Sequence, residues 1–310
     1  MPRDRAAALV ALGRALQDTG YAFVTVSPET HRRVEARAAA AGRAEARSLR
    51  DVFGWNRPFA PGLLDPAMLE LLREAGALRE EGAARFRSAV RFSTLAGGLF
   101  VHSAYPTRAA DAVFFGPDTY RYCDLVAEAG PAKRVVDVGC GSGAGGLVAA
   151  KHAEHVVLAD INASALELAQ VNVVLADLAA RIETVASDIL DAVEGPIDLV
   201  ISNPPYMVDP AGRAYRDGGG AFGEGLAVRI ARDALARLSP RGRLVLYTGA
   251  AIVDGRDTFL DAVRPICNAC DAEWTYREID PDVFGEEIEQ NDAYAGVERI
   301  AAVALIAKLR

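Results

Sequence analysis

Along this 310-residue chain the apolar positions change their period about a third of the way in. In the first stretch the spacing is helical: Leu9, Leu12 and Leu16 predict a helix over Arg5–Gln17, stopped at Asp18-Thr19-Gly20, and a second runs from Ser27-Pro28 to Gly42. Asp65 before Pro66 offers a third start, an acceptor followed by a proline that needs no donor, with Met68, Leu69, Leu71 and Leu72 buried before Gly76. The period then falls to two. From Arg85 to Thr94, Phe86, Val90 and Phe92 share one strand face and Arg85, Arg87 and Arg91 the other, and Gly97-Gly98 turns the chain into Leu99–Val101. Helices followed by a hairpin outline a winged helix, whose arginine face is either solvated or open to RNA, a ribosome or an acidic protein.

After a connector, a helix capped by Asp118 or Thr119 runs to Ala129, and a strand–helix rhythm follows. The expected strands are Arg134–Val138, Val156–Ala159, Ile182–Ala186, Asp198–Ser202 and Leu244–Thr248, with Glu273–Ile279 and Arg299–Leu309 beyond. Such alternation predicts a doubly wound α/β sheet with its ligand at the carboxyl ends of the strands. The chain divides on this reading into an N-terminal substrate-recognition domain, residues 1–103, and a catalytic domain, residues 104–310.

With 51% hydrophobic and 25% charged residues and no apolar run long enough to span a bilayer, the expectation is a cytoplasmic protein without a membrane partner. Residues 1–110 hold 16 Arg/Lys against 11 Asp/Glu, and the rest 18 against 31, so +5 and −13 give the net −8. An anionic partner would meet the front part first. Cys267 and Cys270 form a C-x-x-C, but no second pair completes a zinc site, and no metal is expected.

The candidate chemistry lies at the strand ends. In R-V-V-D-V-G-C-G-S-G-A-G-G (Arg134–Gly146), a buried strand breaks into a turn at Gly139, Gly141 and Gly143, whose missing Cβ atoms let a cofactor approach the backbone. The turn formally fits a dinucleotide too. Asp137 separates the readings: a carboxylate there repels a pyrophosphate but suits S-adenosylmethionine (SAM), which carries a sulfonium and an ammonium. Asp160, at the next strand end, offers an acceptor for two ribose hydroxyls. Asp188 follows the third strand, and I-S-N-P-P-Y (Ile201–Tyr206) ends the fourth. An amide or exocyclic amine nitrogen has a delocalised lone pair, and two acceptors gripping its hydrogens would aim that pair at a methyl group. The Asn203 side-chain oxygen and the Pro204 carbonyl can supply them, and Tyr206 can stack on a flat substrate.

D-V-G-C-G-S-G resembles motif I of the class I SAM-dependent methyltransferases. Together with G-P-D-T (Gly116–Thr119), A-D-I-N-A-S-A-L, N-P-P-Y and R-D-G-G-G (Arg216–Gly220), the stretch from Gly116 to Arg310 is similar to the HemK/PrmC-type protein-(glutamine-N5) methyltransferases. The resemblance implies a seven-stranded Rossmann-like sheet with its last strand antiparallel, SAM as cofactor, and Asp188, Ile189, Asn203 and Thr119 beside it, with Asp188 accepting from the adenine amine. It implies a glutamine of a translation factor or ribosomal protein as acceptor. The chain departs from that family at Tyr120, where an acidic residue is usual, and in its front part. N-P-P-Y also resembles enzymes that methylate adenine or guanine amines, and a small-molecule amide or amine stays open. Gly218–Gly225 is either a lid or a plain mobile loop.

Overall fold

The computed structural model describes residues 4–82, 84–213 and 215–310. Its front part comprises α1 (Arg5–Asp18), α2 (Pro28–Ala40), α3 (Leu49–Phe53), α4 (Pro66–Glu74), the pair β1 (Leu78–Glu80) and β2 (Phe86–Ser88), and the hairpin β3 (Val90–Leu95) and β4 (Gly98–Ser103). The helix starts follow their local chemistry: Asp4, Ser27 and Asp65 each accept a backbone N–H of the first turn, and Pro28 and Pro66 open α2 and α4.

Then come α5 (Pro117–Ala127), β5 (Ala132–Val138), α6 (Ala144–Ala149), β6 (Ala153–Asp160), α7 (Ala163–Leu175), β7 (Ile182–Ala186), β8 (Leu199–Ser202) and α8 (Gly225–Arg237). The chain ends with β9 (Arg243–Val253), β10 (Arg256–Asp257), α9 (Thr258–Ala269), β11 (Ala272–Asp280), α10 (Gly285–Gln290) and β12 (Val297–Leu309). The sheet runs β11-β12-β9-β8-β5-β6-β7, with the two-residue β10 on β9 as an eighth strand. β5 to β9 are parallel and β12 is antiparallel to both neighbours, as the sequence reading expects. Strand order reverses at β5, which lies between β6 and β8, so the loops leaving β5 and β8 diverge and open a crevice.

One apolar core fills each face of this sheet, and a third joins α1, α4 and the β3–β4 hairpin to Leu168, Val171 and Leu175 of α7. The contact with α7 is close: a Cβ on Gly13 would lie 2.8 Å from Leu175. Asn172 of α7 clips the hairpin on, accepting from Val101 N (2.8 Å) while donating to the carbonyls of Val101 (3.0 Å) and Ser142 (2.9 Å). The front part thereby forms one wall of the crevice.

The single strand expected over Arg85–Thr94 is instead two. β2 pairs with β1, β3 pairs with β4, and the change of partner falls at Ala89, whose N–H bonds to Ala77. The arginine face does not survive the break. Arg91 is only 3% exposed, Arg87 is held by Glu81 and the Asn56 carbonyl, and Arg85 pairs with Glu45. β3 is covered on both faces, and alternation marks one solvated face only when nothing packs on the other.

Candidate active site

A cavity of about 380 Å³ sits at the carboxyl ends of β5, β6 and β8, within the roughly 300–1,000 Å³ usual for small-molecule sites. Its floor is the glycine turn, and the glycines divide by role. Gly139 and Gly141 have φ of 68° and 53°, and a Cβ on either would meet nothing within 4 Å, so they present bare backbone to the cavity. Gly143 (φ 78°) packs instead, since its Cβ would fall 3.0 Å from Leu158. The turn is fixed to β6 by the N–H groups of Gly139 and Cys140, which donate to Ala159 O at 2.8 and 3.1 Å.

Asp137 does not face the ligand space. It is 1% exposed, accepting from the Tyr122 hydroxyl (2.8 Å) and from Gly146 N (2.7 Å), and so anchors the start of α6 from beneath. Alternation along β5 explains this, because Val138 lines the cavity and its neighbour must point to the opposite face. Burial pushes the Asp137 carboxyl up to about 7, against the lowering effect of its two bonds.

Asp160 does line the cavity. Its oxygens accept from Gly141 N (2.9 Å) and Asn162 N (2.8 Å), bonds that oppose the upward push of burial on its pKa. Each oxygen keeps a further lone pair for a hydroxyl. Asp188 and Ile189 form the adjoining wall, where the Asp188 carboxylate is half exposed and ion-paired with Arg229 at 3.1 Å. Ile189 is buried with φ 50°, a conformation costing a β-branched residue roughly 1–3 kcal/mol, and it contributes an apolar surface there. Thr119 also lines the cavity, its hydroxyl accepting from Gly116 N at 3.1 Å and so closing the first turn of α5.

Opposite the turn lie Asn203, Pro204, Pro205 and Tyr206. The end of β8 is tied to β5 by Ser202, whose hydroxyl donates to Val138 O at 2.7 Å. Among the described residues, the Asn203 side chain has no hydrogen-bond partner, although it borders the cavity. Tyr206, expected to stack on substrate, is placed as a strut: it is 7% exposed, its hydroxyl donates to Asp118, and Gly249 lies so close that a Cβ would sit 2.2 Å from the ring.

The sequence offered Asp118 or Thr119 as the helix cap. The cap is Gly116, and the buried Asp118 carboxylate instead collects Tyr206, Tyr247 (2.7 Å) and Arg121 (3.0 Å). The glycine-rich loop is fastened beneath N-P-P-Y, with Gly218 N donating to Met207 O at 2.9 Å. A Cβ on Gly223 would fall 2.1 Å from Tyr206 O. Asp209 and Arg213 lock the next turn, and their ion pair holds the Asp209 carboxyl down at about 2. No three His, Cys, Asp or Glu side chains gather into a metal-holding group among the described residues.

Residues 124–252 match the Methyltransferase small domain family. This part of the chain is a class I SAM-dependent methyltransferase domain. The methyltransferase domain is similar to that of a release factor glutamine methyltransferase of Koribacter versatilis, 31% identical over 187 residues, which span 54% of this chain and 62% of that one. It is also similar to a tRNA1(Val) (adenine(37)-N6)-methyltransferase of Aeromonas hydrophila, 31% identical over 130 residues, covering 40% of this chain and 54% of that one. The chain thus spans less than two thirds of either relative. A solved structure from Pyrococcus horikoshii shares the fold, with a TM-score of 0.52 at 13% identity over 92% of this chain and 86% of that one. SAM is the cofactor of such a methyltransferase domain, and the residues present suit it: open glycine backbone, a carboxylate with free lone pairs at Asp160 and an apolar wall at Ile189.

Proposed function

We propose that the protein transfers the methyl group of SAM to a planar amide or amino nitrogen, with a protein glutamine side chain as the acceptor. The observation that carries this reading is the unpartnered Asn203 side chain in the same cavity as Gly139, Gly141 and Asp160. Asn203 Oδ1 and the Pro204 carbonyl grip the two hydrogens of the nitrogen, and neither proline brings an N–H to compete. When bound, SAM supplies an electrophilic methyl. Positioning of this kind lowers a barrier by roughly 7–11 kcal/mol, whereas a general base contributes about 10²–10⁴-fold, or ~3–5 kcal/mol. The carboxylates bordering the cavity support a mechanism without a base. Asp118 is committed to two tyrosines and Arg121, Asp188 to Arg229 and Glu287 to Arg216, while the lone pairs that Asp160 keeps are those for the ribose, and the nitrogen loses its proton to solvent after transfer.

The similarity to the adenine-N6 enzyme supports a second reading, transfer to a nucleobase amine. Against it stand the net charge of −8 and the ion pairs of Arg85 and Arg87 with Glu45 and Glu81, which occupy two of the cations that a phosphate backbone would have to engage. No helix among the described residues is long and apolar enough to cross a membrane. Incubation with methyl-labelled SAM and a cell lysate tests both readings: label in protein, lost on mild proteolysis, is expected, and label confined to RNA would overturn the glutamine reading.

A further inference from the structure

Among the described residues Arg91 is a buried cation without a counter-ion. Arg57 pairs with Glu35 and Asp51, Arg121 with Asp118 and Asp280, and Arg213 with Asp209. Arg91, at 3% exposure, instead donates Nε–H to the Gly54 carbonyl at 2.7 Å and lies over the Phe23 ring at 5.2 Å. Its Nη2 is sealed from solvent with no partner, and Nη1 makes no hydrogen bond among the described residues. An uncompensated buried charge is costly, and a single cation–π contact offsets only part of that cost.

The surroundings do not neutralise it. His102, opposite Arg91 on β4, bonds to Ser93 and to the Ser103 carbonyl, and burial holds its imidazole uncharged. His31 is likewise pushed down to about 4 by burial and by Arg91. No carboxylate pairs with Arg91 among the described residues, and the nearby Tyr21, Tyr120 and Tyr105 are phenols that burial keeps protonated and uncharged. Arg91 nevertheless borders the same cavity as Asn203, and so does Tyr105, whose hydroxyl makes no hydrogen bond among the described residues.

We propose that Arg91 and Tyr105 recognise a carboxylate carried by the methyl acceptor. A single guanidinium with idle N–H donors matches a monoanion with two oxygens, and the phenol adds one more donor. A phosphate dianion would leave about one charge uncompensated in the apolar company of Phe23 and Phe115. The acceptor therefore presents its planar nitrogen at Asn203 and its carboxylate at Arg91. This deepens the methyl-transfer reading and rests on it for the role of Asn203.

Calorimetry on the full chain tests the assignment, with and without S-adenosylhomocysteine. The probes are N-acetyl-L-glutamine and its neutral C-terminal amide, alongside the blocked peptides Ala-Glu-Gln-Ala and Ala-Gln-Gln-Ala. In at least one pair the carboxylate member should bind wild type tenfold or more tightly than its neutral partner. Arg91→Met should abolish that preference, and Arg91→Lys, which keeps charge without the fork, should retain part of it. A preference within the first pair alone identifies a free small acid, and within the peptide pair alone a protein acceptor. Equal affinities in both pairs, no measurable binding of any carboxylate probe, or a preference that survives Arg91→Met overturns the assignment. Melting curves check the fold of the variants, and should Arg91→Met not fold, the wild-type comparison and Arg91→Lys still decide. A parallel SAM titration separates the two readings, because a carboxylate preference without SAM binding refutes methyl transfer and leaves the anion site standing.

Discussion

The hydroxyl of Tyr206 donates to the carboxylate of Asp118 across 88 residues of sequence, inside the protein. Tyr206 ends N-P-P-Y and Asp118 lies in the first turn of α5, so this bond sets where the acceptor loop stands. Tyr247 and Arg121 bind the same carboxylate, which makes it the hub of a buried network. Tyr206→Phe and Asp118→Asn should each lower kcat about tenfold and leave SAM affinity within about twofold. As residues in direct contact they should couple by roughly 0.5–3 kcal/mol. Methyl-transfer rates and SAM titrations on both single variants and the double would check this, and strictly additive effects on kcat would remove the positioning role.

Cofactor recognition depends on Asp160, the acid at the turn with lone pairs free toward the cavity. SAM and S-adenosylhomocysteine should raise the melting temperature while NAD should not, because residues 124–252 match a methyltransferase domain, whereas a ribose acceptor at Asp160 alone would suit either. Asp160→Ala should weaken SAM binding about tenfold or more, each lost hydrogen bond contributing roughly 1 kcal/mol. Thermal shift and calorimetry read both, and a Kd unchanged by the substitution would rule out the ribose role.

The sheet was legible because its signals are local. Apolar runs such as Val135–Val138, helix starts such as Asp65-Pro66 and the turn glycines act within a few residues of themselves, and all appear where the pattern places them. Arg91 was misread for the complementary reason: alternation reveals two faces of a strand but not what covers them, and here Phe23 and Gly54 cover the second. Asp137 could be assigned to a strand end but not to a side, since which face of β5 borders the cavity depends on α5 and α6. The hub at Asp118 was beyond reach because its tyrosines lie 88 and 129 residues away. The Gly218–Gly225 run looks flexible in sequence, yet Gly218 and Gly223 serve close backbone packing under Tyr206.

Asp137 gives stability a specific pH dependence. Burial raises its folded pKa to about 7 from the ordinary carboxyl value of 3.8, so the folded state holds a proton that the unfolded chain has already released. The resulting stabilisation is complete below the unfolded value and is lost as pH rises through 7. Asp137→Asn should flatten the decline in melting temperature between about pH 4 and 7, because the amide keeps both contacts if the Tyr122 hydroxyl reverses its role. An unaltered slope in the variant would assign the proton elsewhere.

Asn203 provides the most direct test of the acceptor chemistry. Its side chain makes no bond that holds the fold together, so Asn203→Ala should melt close to wild type and bind SAM as well. What it removes is an acceptor that aims the nitrogen lone pair. By comparison with deleting one preorganised transition-state hydrogen bond, kcat should fall about 10²–10³-fold, or ~2.7–4 kcal/mol. Asn203→Asp keeps an acceptor oxygen while adding charge beside the cofactor space, so its activity should lie between wild type and Ala. Single-turnover methyl transfer and SAM affinity, measured on the same three proteins with the acceptor from the lysate screen, separate the chemical step from binding. Loss of SAM affinity in Asn203→Ala would move the residue to the cofactor site, and full activity in a folded Asn203→Ala protein would falsify nitrogen gripping by N-P-P-Y, leaving the cavity a SAM site whose acceptor is held by other groups.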